Sequence, residues 1–202
     1  MGLSLVTYDG RMARWEPDAR ERLVRAALDL FSEQGYENTA VAQIAERAGL
    51  TKSTFFRHFR DKREVLFGGQ EVLAELMVGA IADTPAGAGP LVAVEAALVA
   101  TAKTFTDERR AHGPQRLAVI EGNDELRERA ALKMVGFAIA MTDALKRRGV
   151  PELEAAVAAE LGVLAFDRGY GHWLEAGGDF GEIARRTLRD VREAVASLQR
   201  AE

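Results

Sequence analysis

The chain contains no cysteine, which excludes disulfides, thiolate metal centres and thiol redox chemistry. No apolar run approaches the roughly 20 residues that cross a bilayer. Tyr8, Asp9 and Arg11 interrupt the N-terminal stretch where a signal peptide would carry its apolar core. A cytoplasmic protein with no membrane contact is therefore expected. Persistent two-residue alternation is missing, so strands are not expected. Catalytic signatures are missing too: there is no GxSxG, P-loop or HExxH, and no His/acid cluster with ligand spacing. No catalytic residue, metal or cofactor is expected. With 202 residues the chain is long enough to bury a substantial core.

What the chain does have is helical apolar spacing, punctuated by its five prolines. Pro17 opens the first strong pattern, in which Leu23, Ala26, Ala27, Leu30 and Phe31 form one stripe ending near Gly35. The segment VAQIAERAGLTKSTFFRHF, residues 41–59, reads as a short helix, a turn at Gly49 and a second short helix capped by Thr51. Two helices joined so tightly form a helix-turn-helix, whose second helix enters the major groove of DNA. Asp61 and Glu64 suit a capping box that starts a further helix at 62, expected to run to about Asp83 through Gly68-Gly69. Further helices are expected near 90–108, 113–121, 124–148, 151–176 and 180–200. The fold class is all-α, with about nine helices.

The formal net charge of −4 looks unsuited to a DNA binder, but its distribution is uneven. Residues 11–67 carry +2 and residues 68–202 carry −5, while 52–63 hold five basic residues against Asp61. Phosphates respond to the face presented to them within roughly 10 Å, so the local sign decides.

From Asp18 to Phe67 the sequence resembles the TetR (tetracycline repressor-like) family of bacterial transcription regulators. The AA and LF of the first helix, the GY turn, IA-x-x-AGL and FxHFxxK occur in order over RERLVRAALDLFSEQGYENTAVAQIAERAGLTKSTFFRHFRDKREVLF. Two departures stand out: Phe56 where the family commonly has a phosphate-touching Tyr, and Ala40 where it often has Thr. The resemblance implies a flexible arm at 1–16, a helix-turn-helix domain at 17–67 with its motif at about 40–59, and an effector-binding and dimerisation body at 68–202. It also implies a homodimeric, ligand-responsive regulator, most simply a repressor on a palindromic operator. The alternatives are an architectural DNA-binding protein without effector and an α-helical enzyme.

At 100° per residue, with Phe55 as the buried reference, Ser53, Arg57 and Arg60 fall within about 40° of the solvent side. Lys52, Ser53 and Arg57 are the candidates for base edges, and Thr54 and Phe56 flank them. Thr39, Thr51, His58 and Lys62 are the phosphate candidates. Thr39 and Thr51 are first of all expected helix caps, and a packing role suits His58 equally. Arg60 and Arg63 have a solvated role as an equal alternative. Arg11 and Arg14 suit a minor-groove arm or a disordered tail.

In the body, Phe105, Met134, Phe137, Met141, Phe166 and Trp173 are candidates for a mostly apolar effector pocket, or else ordinary core. Ala158, Gly162, Ala165 and Gly169 form a small-residue seam, and Leu188, Val191 and Val195 belong to an apolar stripe. Both are candidates for a dimer interface, or else for packing within one subunit.

Overall fold

The computed structural model describes residues 19–198. Residues 1–16, with Arg11 and Arg14, lie outside the described residues. Among those described there are helices and no strand. The head comprises α1 (Ala19–Gln34), α2 (Val41–Arg47), α3 (Lys52–His58) and α4 (Lys62–Phe67). The body follows as α5 (Gln70–Asp83), α6 (Pro90–Ala100), a 3-10 turn (Ala102–Thr104), α7 (Asp107–Ala111), α8 (Gly113–Glu121), α9 (Asp124–Arg147), α10 (Glu152–Ala176) and α11 (Phe180–Leu198).

The head forms for local reasons that the sequence states openly. Leu23, Ala27, Leu28 and Phe31 of α1 are buried against Ile44 and Ala45 of α2 and Phe55 of α3. Gly49 adopts φ +65°, a conformation open to glycine at no steric cost. The Arg22 guanidinium, reaching over from α1, donates to the Ala48 carbonyl and closes the end of α2. Thr51 caps α3, its hydroxyl accepting from the Thr54 amide at 3.1 Å. Asp61 caps α4 by accepting from the Glu64 amide, and Glu64 reaches back to the amide of Arg60, one residue before the cap.

Two expected helices are interrupted. Contrary to the expectation from the sequence, the segment 62–83 is long and apolar enough to cross a membrane by length and composition, with mean hydropathy 1.5. It is nevertheless two helices, because Gly69 turns to φ +90° between α4 and α5. Its apolar residues serve two cores: Val65, Leu66 and Phe67 the head, and Leu73, Met77 and Ile81 the body. The expected helix 90–108 ends at Ala100 and passes through the 3-10 turn into the separate α7. There Thr106 caps α7 by accepting from the Arg109 amide.

In the body, α10 packs between α9 and α11, and α6 closes the bundle against α5 and α11. Arg148, just past α9, donates to the carbonyls of Ile81, Thr84 and Pro85 and so fastens the C-terminal end of α5. The two cores do not divide where the chain does. Leu126 of α9 is fully buried in the head's cluster, with Val119 and Ile120 of α8 packed beside it. Polar contacts reinforce this junction: Arg63 to Glu125 at 3.1 Å, Asn123 to Glu37 at 3.0 Å and Gln115 to Ser32 at 3.2 Å.

The small-residue seam points inward, which corrects the expectation that it faces a second subunit. Ala158 and Ala165 are buried in the subunit's own core. A Cβ on Gly162 would lie 2.5 Å from Val94 of α6, and one on Gly169 would touch Thr187 and Ile183 of α11. Small residues are required there by neighbouring helices of the same chain. Leu188 and Val191 are likewise buried within the subunit, and the stripe is exposed only toward the end of α11, from Val195 onward.

Candidate nucleic-acid interface and effector cavity

Helix α3 is held by one edge and offered to solvent by the other. Phe55 and Phe59 are buried with ring centroids 5.5 Å apart. On the outward side Thr51, Lys52, Ser53, Phe56, Arg57 and Arg60 are exposed, and Thr54 is partly so. Among the described residues, Lys52, Arg57 and Arg60 form no ion pair. Their charge is therefore left uncancelled on the surface. The Lys52 ammonium lies 5.9 Å from the Phe56 ring, which shields the helix where a tyrosine hydroxyl is absent.

Three phosphate candidates sit differently from the sequence expectation. Thr39 is 2% exposed, and its hydroxyl donates to the Gly35 carbonyl at 2.8 Å while accepting from Gln34. It locks the α1–α2 turn, so its side chain is not offered to solvent. The cap of α2 is Ala40, whose amide donates to Gln43. His58 keeps Nε2 buried and unpartnered. Burial, then Arg57 and Arg20, lower its pKa below the usual histidine range. A neutral imidazole on the buried flank fills a packing role.

Lys62 is the third. Its ammonium donates to the carbonyls of Tyr36 at 2.7 Å and Glu37 at 3.3 Å, 4.1 Å from the Tyr36 ring centroid. It thus ties α4 to the turn after α1, leaving one of its three N–H groups for a phosphate. Lys62→Met is expected to cost about 1 kcal/mol of stability, read from urea unfolding. The same variant should shallow the slope of log K against log salt by about 0.9. An unchanged slope would show that Lys62 acts on the fold alone.

The body holds a cavity of about 290 Å³. Its walls come from both parts of the chain: Leu66 and Phe67 of α4, Leu73 of α5, Phe105, and residues of α7, α8, α9 and α10. Three expected lining residues, Phe105, Met134 and Phe166, are there. Phe137, Met141 and Trp173 are buried in the bundle core and do not line this space. They share a helical period with Met134 or Phe166, but their neighbours α5, α6 and α11 cover them.

Beyond the expected residues the wall adds apolar ones such as Leu66, Leu73 and Ile120, and a polar group the sequence did not announce: Arg109, Arg116, Lys133, Asp167 and Tyr170. Lys133 carried a readable signal, because it stands four residues before Phe137 on the apolar side of α9. Burial, then Arg109, lowers the Arg116 pKa to about 10. Burial, then Arg109 and Arg116, lowers that of Lys133 to about 8.

Residues 23–67 match the family model described as bacterial regulatory proteins, tetR family. The transcriptional regulator TcmR of Streptomyces glaucescens is 45% identical over 78 residues, which are 39% of this chain and 34% of that protein. The match therefore spans about a third of the relative's length. Solved structures share most of the fold at low identity. The SmeT–triclosan complex superposes with TM-score 0.59 at 18% identity, over 87% of this chain and 90% of that one. FadR of Bacillus subtilis in complex with stearoyl-CoA gives 0.52 at 18%, over 85% and 96%. Family and relatives are transcription regulators, not enzymes. What these comparisons show of the head, residues 23–67, is a match to the tetR family of bacterial regulatory proteins, and of the described body a likeness of fold.

Proposed function

We propose that the chain is a ligand-responsive transcriptional repressor that binds a palindromic operator as a homodimer in the cytoplasm. The observation that carries this reading is α3, anchored by Phe55 and Phe59 and presenting Lys52, Ser53 and Arg57 outward. Two such helices, one from each subunit, fit successive major grooves about 34 Å apart. Thr51 and Thr54 stand beside them for the sugar-phosphate backbone.

Dimerisation is supported by an apolar face that the monomer leaves open. Leu153, Val157 and Leu164 recur on one side of α10 with 76%, 51% and 42% exposure, and Val195 and Leu198 extend α11 beside it. Two helices paired with their symmetry mates make a four-helix interface. Effector response is supported by the largely apolar cavity, since its wall includes Leu66 and Phe67 from the head. A ligand that prefers one head position shifts the population between DNA-competent and incompetent states.

Arg57 tests the readout. Arg57→Ala is expected to weaken specific binding by about 1–3 kcal/mol and to relax preference at one operator position. Gel-shift titrations on operator and random duplexes check this. Equal losses on both would remove Arg57 from base recognition.

A further inference from the structure

The cavity is chemically lopsided. Most of its wall is hydrocarbon and aromatic, yet three cations from three helices converge on it: Arg109 of α7, Arg116 of α8 and Lys133 of α9. Among the described residues none of the three forms an ion pair. The Nε atoms of Arg109 and Arg116 are buried without a hydrogen-bond partner. What the cations do have is weak: Arg109 lies over the Phe105 ring at 5.3 Å with a 3.5 Å contact to the Thr104 carbonyl, and Lys133 lies 5.5 Å from the Phe137 centroid.

Unpaired charges gathered in a half-buried site repel one another and lose part of their hydration, and this destabilises the empty protein. The one carboxylate in the wall, Asp167, is exposed on α10 and leaves the cationic excess in place. A second cleft of about 410 Å³ shares Arg109 and Arg116 and continues past Arg20, Glu21 and Glu108 to Gly68 and Gly69, so both guanidiniums sit between an apolar space and a polar one of mixed charge. Arrangements of this kind recur where a planar anion is held by guanidinium forks.

We infer that the effector is an amphipathic organic anion, its acidic headgroup held by Arg109, Arg116 and Lys133 and its apolar body among Phe105, Met134 and Phe166. This rests on the effector reading of the cavity. It specifies the sign of charge that the site demands, which the apolar composition alone does not. The lowered pKa values of Arg116 and Lys133 are the response expected of cations still lacking their counter-ion.

Four probes of one length separate the possibilities in the full-length protein: octanoate, octyl phosphate, octanol and octylamine, each below its aggregation limit. Thermal melts and calorimetric titration are expected to show at least one of the two anions binding at least 10-fold more tightly than octanol. Their ranking tells carboxylate from phosphate. At 100 times its Kd the preferred anion should raise Tm by about 5–10 °C. Octylamine should give no shift. Arg116→Met and Lys133→Met should each remove most of the anion preference while leaving octanol binding intact. Arg116→Met should also melt higher than the wild type without ligand, because it deletes an unpaired buried charge. A lower ligand-free Tm for this variant, octanol bound as tightly as the anions, or no binding of any probe overturns the proposal. Operator release is measured separately. An anion that binds without releasing DNA sinks the effector reading but leaves the anion site standing. Release by octanol with no anion preference does the reverse.

Discussion

Leu126→Ala is expected to lower stability by about 2–5 kcal/mol, although residue 126 lies far outside the segment that carries the helix-turn-helix. Leu126 is fully buried in the head's own core and is delivered there from the start of α9. Asn123 fixes its position twice, capping α9 by accepting from the Leu126 amide and donating to Glu37 of the head. Truncation leaves a cavity at the seam between the two parts, where α1 and α4 meet α8 and α9. A thermal melt should show Tm lower by roughly 5–15 °C. A loss below 1 kcal/mol would mean that the head closes its core without help from α9.

The second large effect concerns assembly. Val157→Glu/Leu164→Glu places two charges per subunit on the open face of α10, so a symmetric dimer would have to bury four. Both side chains are exposed in the monomer, so the variant should keep its helicity and melt cooperatively. Sedimentation at micromolar concentration is expected to show monomers, with operator affinity reduced by more than about 100-fold. A dimer that survives both charges would place the interface elsewhere. Ala165→Glu is the instructive contrast. Ala165 has no exposed surface, so its replacement should damage the fold itself.

The sequence made the head legible because every signal there is local. Thr51 caps the helix it precedes, Gly49 takes the left-handed conformation the turn needs, and Phe55 and Phe59 lie four apart on a buried edge. The body's long helices were legible for the same reason, through periodicity bounded by Pro90, Pro151 and the glycines. What failed was whatever depends on a neighbour. Periodicity says that Ala158, Gly162, Ala165 and Gly169 share a face, but not that Val94 and Thr187 of the same chain cover it. The capping signal at Asp61 made 62–83 one expected helix, whereas a single backbone angle at Gly69 makes it two. The cavity's cations come from residues 109, 116 and 133, and only tertiary structure brings three helices around one space.

Helix α5 has two unlike ends, and its mechanics follow from them. Arg148 bolts its far end through the Ile81, Thr84 and Pro85 carbonyls, as a beam is built into a wall. At its near end Gly69 stands in open space, with nothing within 4 Å of where a Cβ would be, as a pin joint. A beam of this kind passes force across the joint but no bending moment. A displacement felt by Leu73, one turn from the pin and in the cavity wall, therefore reaches α4 as a push and not as a twist. In the proposed dimer, such a push would alter the spacing of the two recognition helices more than the face each offers to the groove.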